Sequence, residues 1–274
     1  MTAINIGDRV SITLTDGVAD VRMTRPDKRN ALDGAMFVSL AEAGERLKTM
    51  AGVRVAVLSG EGASFCAGLD FATMAALATG VDSDGRDNPG LLQESGITHL
   101  GQQVAWVWQE VPVPVIAAVH GHAIGGGIQV ALGADIRIVH PDTKLSVREV
   151  HWGLVPDMTG TMMLSRLVRA DVAKELVITA RMFDGREAFA LGIATKLSDT
   201  PLDDALVMAR EIAGRSPDAV RGAKALLNGL FNAGAAEQFA EERRVIRSII
   251  GKPNQAEAVA SNFENRPAHF IDPV

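Results

Sequence analysis

Two spacings of apolar residues alternate along the chain. Val10, Ile12 and Leu14 stand between Ser11, Thr13 and Thr15, and Ala19, Val21 and Met23 alternate with Asp20 and Arg22. A period of two on both sides of Asp16-Gly17 predicts a β-hairpin. The period then lengthens. Met36, Leu40, Ala43, Leu47 and Met50 recur at helical spacing, with Asp33 placed to cap them. Short apolar runs at 53–59, 113–119 and 135–139 read as strands, with helical patterns between them. From about Asp171 the pattern is helical, broken by turns at Gly185, Gly192, Pro201, 214–217 and 251–253. Strands interleaved with helices and then helices alone predict an α/β core over 1–200 and a helical region over 201–274. The polar stretch 79–90 reads as a mobile surface loop, placed where a substrate lid would lie.

Composition narrows the classes of function. Hydrophobic residues make up 47% of the chain, enough for a full core. A net charge of −6 without a basic run argues against nucleic acid as a partner. A small anionic ligand stays compatible, because a local basic cluster can outweigh the net charge nearby. Arg25, Lys28 and Arg29 form one such cluster; a solvated charged face is the other reading of them. Cys66 is the only cysteine, which excludes an intrachain disulfide and fits a reducing cytosol. The segment 1–9 is polar, and the longest apolar stretch, 111–119, holds two prolines and is too short for a bilayer. A cytoplasmic protein with no membrane partner is expected.

Two segments share a layout of apolar strand, glycine turn and helix. In the first, the strand ending at Gly60 leads into Ser64-Phe-Cys-Ala-Gly-Leu-Asp70. In the second, the strand ending at Val119 leads into His120-Gly-His-Ala-Ile-Gly-Gly-Gly127. Such glycines either permit tight helix–strand packing or let a ligand approach the backbone, and a helix starting near Gly126 offers unpaired N–H groups to an oxyanion. Other glycine motifs fail. The third glycine of a dinucleotide fingerprint falls on Phe65, no Gly-Lys-Ser/Thr triplet exists, and Gly62-x-Ser64-x-Cys66 lacks the second glycine of a nucleophile elbow.

Proton chemistry needs a carboxylate or histidine. Glu149 lies among Val147, Val150, Trp152 and Leu154, company that raises a carboxyl pKa; a surface glutamate paired with Arg148 is the plainer reading. His120 and His122 flank Gly121, but no third ligand lies at metal spacing on the same element, so no metal is expected.

Together these segments resemble the enoyl-CoA hydratase/isomerase (crotonase) superfamily. Arg25-Pro-Asp-Lys-Arg-Asn-Ala-Leu32, the two glycine turns, Ala134-Asp-Ile-Arg-Ile138 and Phe263-Glu-Asn-Arg-Pro-Ala-His-Phe270 occur in the order the family shows. The resemblance implies a spiral of ββα units, with a helical carboxy-terminal region that assembles homotrimers or homohexamers. Apolar stripes on the terminal helices, including 231–250, would meet the partner subunit. It implies an acyl-CoA thioester as substrate, with coenzyme A part of the substrate and no separate cofactor. The backbone N–H groups of Leu69 and Gly126 would form the oxyanion hole. Ala67, Asp70 and the basic Arg25 and Lys28 would hold the coenzyme, and Trp152 would border the substrate. Glu149 matches one catalytic glutamate of the hydratases. The other falls at Gln129, which has no ionisable proton but can still orient a water. The run Arg148-Glu-Val-x-x-Gly-Leu-x-x-Asp157 is similar to the dienoyl-CoA isomerase branch, with Asp157 as second proton-transfer group. Double-bond isomerisation is therefore expected. Hydration of a 2-enoyl-CoA by Glu149 and a bound water, and acyl-CoA binding without catalysis, are the alternatives.

Overall fold

The computed structural model describes residues 4–78, 96–232 and 234–270. The loop expected at 79–90 lies outside them. The hairpin is present as β2 (Val10–Thr15) and β3 (Val18–Met23), antiparallel, with β1 (Ile4–Ile6) added on its outer edge. Asp16 and Gly17 both have positive φ, 51° and 84°, the pair of left-handed residues that a two-residue hairpin turn requires. β4 (Val55–Gly60), β5 (Val115–Val119), β7 (Ile136–Val139) and the two-residue β9 (Lys196–Leu197) continue the sheet in parallel; β6 (His122–Ile124) lies outside it.

Every residue of β4 and β5 is buried because both faces of the sheet are covered. Ala56, Leu58, Ala117 and Val119 face the main core, which includes α1 (Gly34–Thr49), α3 (Leu100–Glu110) and α4 (Gly126–Gly133). Val55, Val57, Ile116 and Ala118 face Ala205, Ala209 and Ala213 of α8 (Pro201–Ala213). Alanines every fourth residue let α8 approach the strands closely. A helix from beyond residue 200 thus completes the sheet, and the expected boundary at 200 runs through this layer.

Around this core run α2 (Phe71–Ala78), α5 (Gly160–Leu167), α6 (Ala170–Thr179) and α7 (Gly185–Ala190), followed after α8 by α9 (Pro217–Phe231), α10 (Ala235–Ile249) and α11 (Pro253–Glu264). Lys224 is the one buried residue of α9. Its Nζ donates to Trp108 O (2.9 Å), Val113 O (3.0 Å) and Asp135 Oδ2 (2.7 Å), and Asp135 Oδ2 also accepts from Val115 N–H at 2.7 Å. The apolar stripe of α10 is covered within the chain, with Phe239 and Ile246 buried. The exposed apolar face belongs to α9, at Leu226, Leu227, Leu230 and Phe231. No described helix is long and apolar enough to cross a membrane.

A small second sheet positions the site. β6 pairs in parallel with β8 (Lys144–Ser146), so the chain leaves both strands at the same end. One exit leads through Gly125 into α4, the other into a 3-10 turn, Glu149–Trp152. Gly125 N–H donates to Ser146 O at 2.9 Å and joins the two exits.

Candidate active site

The two glycine turns are pressed together. Cys66 bridges Ala123, with Cys66 N–H on His122 O (2.9 Å) and Ile124 N–H on Cys66 O (3.2 Å). A Cβ on Gly68 would lie 2.5 Å from Ile124 O, and one on Gly127 would collide with Cys66 O, so only glycine permits this approach. Leu32 donates to Gly68 O (2.8 Å) and accepts from Asp70 N–H (2.9 Å). In a parallel bridge of this kind the intervening Leu69 turns its own N–H away from Leu32. Gly126 is the first residue of α4, where amides have no partner within the helix. Leu69 and Gly126 both line a cavity of about 1300 Å³.

Glu149 and Asp157 line the same cavity. Glu149 is 8% exposed. Its Oε1 accepts from Gln129 Nε2 at 2.6 Å, and its buried Oε2 has no hydrogen-bond partner among the described residues. Burial is the main cause lifting this carboxyl from 4.5 to about 7, against the Gln129 bond. Asp157 is pushed up to about 7, first by burial, then by the negative charges of Glu242 and Glu149. Two carboxyls poised near neutrality in one cavity are suited to taking and returning protons.

Gln129 is placed differently from the sequence expectation. It is fully buried and does not line the cavity. Its Oε1 accepts from the N–H groups of Met158 and Gly160, both at 3.0 Å, while its Nε2 serves Glu149. An amide so placed orients Glu149 and anchors the turn after Asp157, with its oxygen taken by two backbone N–H groups and one Nε2 hydrogen committed to Glu149.

At the rim, Lys28, Ala67, Asp70 and Trp152 line the cavity together with Arg29. Arg25 does not. Its Nη1 donates to Asp70 Oδ2 (2.8 Å) and Ala31 O (3.1 Å) and lies 3.4 Å from Asp33 Oδ2, so it braces the first turn from behind. Trp152 meets Phe71 and Phe263 at ring-centroid distances of 6.1 and 5.9 Å. His122 lines the cavity and its Nδ1 is 2.9 Å from Ser64 Oγ; burial, then Arg29 and Lys144, lower its pKa and favour the neutral ring. Among the described residues no group of His, Cys, Asp and Glu is arranged to hold a metal.

The sequence reading missed the wall that α10 supplies. Arg243, Ile246 and Arg247 line the cavity, and Glu242 is buried beside Asp157. The signal was present: Phe239, Glu242 and Ile246 fall at helical spacing on the buried face of α10. His99 also lines the cavity. It caps α3 through Nδ1, and burial followed by Arg243 drops its pKa to about 4.

Comparison with known proteins identifies the family. The family model described as enoyl-CoA hydratase/isomerase matches residues 13–273. A probable enoyl-CoA hydratase of Mycobacterium leprae is 31% identical over 95% of this chain and 98% of its own. The peroxisomal Delta(3,5)-Delta(2,4)-dienoyl-CoA isomerase of Arabidopsis thaliana is 35% identical over 75% of each chain. The crystal structure of an enoyl-CoA hydratase/isomerase from Pseudoalteromonas atlantica superposes with a TM-score of 0.81 at 26% identity, covering 96% of this chain and all of the other. The chain belongs to the enoyl-CoA hydratase/isomerase family.

Proposed function

We propose that this enzyme moves a double bond along an unsaturated acyl-CoA. Glu149 takes a proton from the carbon next to the thioester carbonyl through its unpartnered Oε2. Negative charge then develops on the carbonyl oxygen, where the N–H groups of Leu69 and Gly126 receive it; one such donor is typically worth about 3 kcal/mol. Asp157 returns a proton farther along the chain, and exchange with solvent resets both carboxyls. The basic rim at Lys28 and Arg29 suits the phosphates of coenzyme A, with Ala67 and Asp70 beside the adenine end and Trp152 bordering the thioester arm.

One observation carries this reading: a pair of carboxyls held near pH 7 in one cavity, while the residue at the other hydratase position is committed as an anchor. Isomerisation needs a group that takes a proton and a group that returns one. Gln129 has no ionisable proton, so it cannot be the second acid or base of a two-carboxylate hydration. The likeness to the Arabidopsis dienoyl-CoA isomerase supports the same choice.

The test compares 2-enoyl-, 3-enoyl- and 3,5-dienoyl-CoA substrates side by side. Double-bond migration in the last two, without hydration of the first, is expected. Glu149→Gln should lower kcat by about 10³-fold with coenzyme A binding retained. Hydration of 2-enoyl-CoA that survives Glu149→Gln would overturn both the reaction and the assignment.

A further inference from the structure

Glu242 is buried on α10, and its neighbours all donate to it. Gln102 Nε2 (3.0 Å) and Thr159 N–H (3.2 Å) reach Oε2, and the Thr161 hydroxyl reaches Oε1 (2.6 Å). The direction of these bonds is set from outside. Thr161 Oγ1 accepts from Gln238 Nε2 at 3.1 Å, leaving its own hydrogen for Glu242. Gln102 Oε1 accepts from Arg243 Nη1 at 2.9 Å, which turns its Nε2 towards Glu242. Burial raises the Glu242 carboxyl, while these three donors and the neighbouring charge of Arg243 oppose burial and favour the anion.

Asp157 is in the opposite situation. Among the described residues no cation pairs with it. The charged groups facing it are Glu242 from α10 and Glu149 from the 3-10 turn. Arg243, next to Glu242, spends its Nη1 on Ile97 O (2.8 Å) and Gln102 Oε1. Thr159, held by Glu242, lies two residues beyond Asp157, has a left-handed φ of 67° and leads into α5.

We propose that Glu242 is a positioning residue for the acid–base pair: it clamps residues 159–161 beneath Asp157, and as a fixed anion it keeps Asp157 in the protonated, donating form while Glu149 begins the cycle as the base. The inference rests on the acyl-CoA reading above and settles what that reading leaves open. Both cavity carboxyls are lifted to about 7, Glu149 by burial against the Gln129 bond, and Asp157 by burial together with the charges of Glu242 and Glu149. Gln129 Nε2 stabilises the ionised form of Glu149, and Glu242 destabilises the ionised form of Asp157. Both influences favour the proton on Asp157 rather than on Glu149.

The experiment is the pH profile of kcat/KM for the wild type, Glu242→Gln, Asp157→Asn and the double variant. Glutamine keeps an oxygen for Thr159 N–H and Gln102 Nε2, and the Thr161 hydroxyl can turn to accept from the new amide. In Glu242→Gln the upper limb, where Asp157 loses its proton, should move down by roughly one pH unit. The melting temperature should stay close to wild type, and Glu242→Gln should not move the profile of residual activity in an Asp157→Asn background. A profile superimposable on wild type, or an equal shift without Asp157, overturns the proposal. Infrared titration of the wild type against Asp157→Asn keeps the test open if Glu242→Gln does not fold. A protonated-carboxyl band at neutral pH that Asp157→Asn removes is expected, and its absence overturns the proposal. Unimpaired turnover by Glu149→Gln would sink the underlying acid–base reading instead, so the two failures are distinguishable.

Discussion

Two regions of this molecule bury carboxyl groups, and they treat them in opposite ways. At the junction of α9 with the sheet, Asp135 meets Lys224 and the Val115 N–H, while Lys224 spends its remaining donors on two carbonyls. Burial pushes Asp135 up and Lys224 down, but pairing opposes both, and the three short contacts keep them an ion pair. In the cavity, Glu149 has one donor and an unpartnered oxygen, and Asp157 faces two carboxylates. The first arrangement sets cation against anion and fastens a helix. The second leaves charge uncompensated, which costs stability and produces groups that exchange protons near neutrality. Burial does not distinguish a structural carboxylate from a reactive one; the donor count around it does.

The comparison breaks most visibly if either arrangement is forced into the other. Lys224→Met leaves the half-buried Asp135 without its cation and should cost about 3 kcal/mol in urea unfolding. Glu149→Gln should do the reverse. The carboxyl has a raised pKa when folded, so it favours the folded state only below its unfolded value of 4.5, and that contribution is lost as pH rises to about 7. The glutamine variant should therefore be more stable than wild type at pH 8, by about 3 kcal/mol, with the difference vanishing near pH 4. A constant offset across that range would show that the site stores no such penalty. The smallest effect belongs to the rim, where Arg25 and Asp70 pair with partial exposure, at side-chain accessibilities of 16% and 17%. Arg25→Gln should cost about 1 kcal/mol in the same assay.

How much of this was legible in the sequence depended on range. The hairpin and α1 were readable because their causes are local. Alternation, the Asp16-Gly17 turn and the Asp33 cap, whose Oδ1 accepts from Met36 N–H at 2.8 Å, all lie within a few residues. β1 and β9 escaped notice because three and two residues are too short to show a period. In the site, Glu149, Asp157 and the glycine turns were marked by motif order. Arg25 and Gln129 do not line the cavity, which the sequence does not show because a side chain's partners are not written beside it. Asp70 lies 45 residues from Arg25, and the amides that claim Gln129 lie 29 and 31 residues on. Glu242 was hidden among similar glutamates on a charged helix, and only its phase relative to Phe239 and Ile246 set it apart.

The contact between Gly68 and Ile124, and between Gly127 and Cys66, has a consequence for how such an enzyme can change. Two main-chain segments in direct contact leave no side chain between them to adjust. Substitution at Leu69 alters bulk without removing its amide, and substitution at either glycine forces the segments apart. Variation on this frame is therefore easier to reach by exchanging the carboxyls and their helpers, where a single codon suffices, while the paired glycine turns are inherited whole.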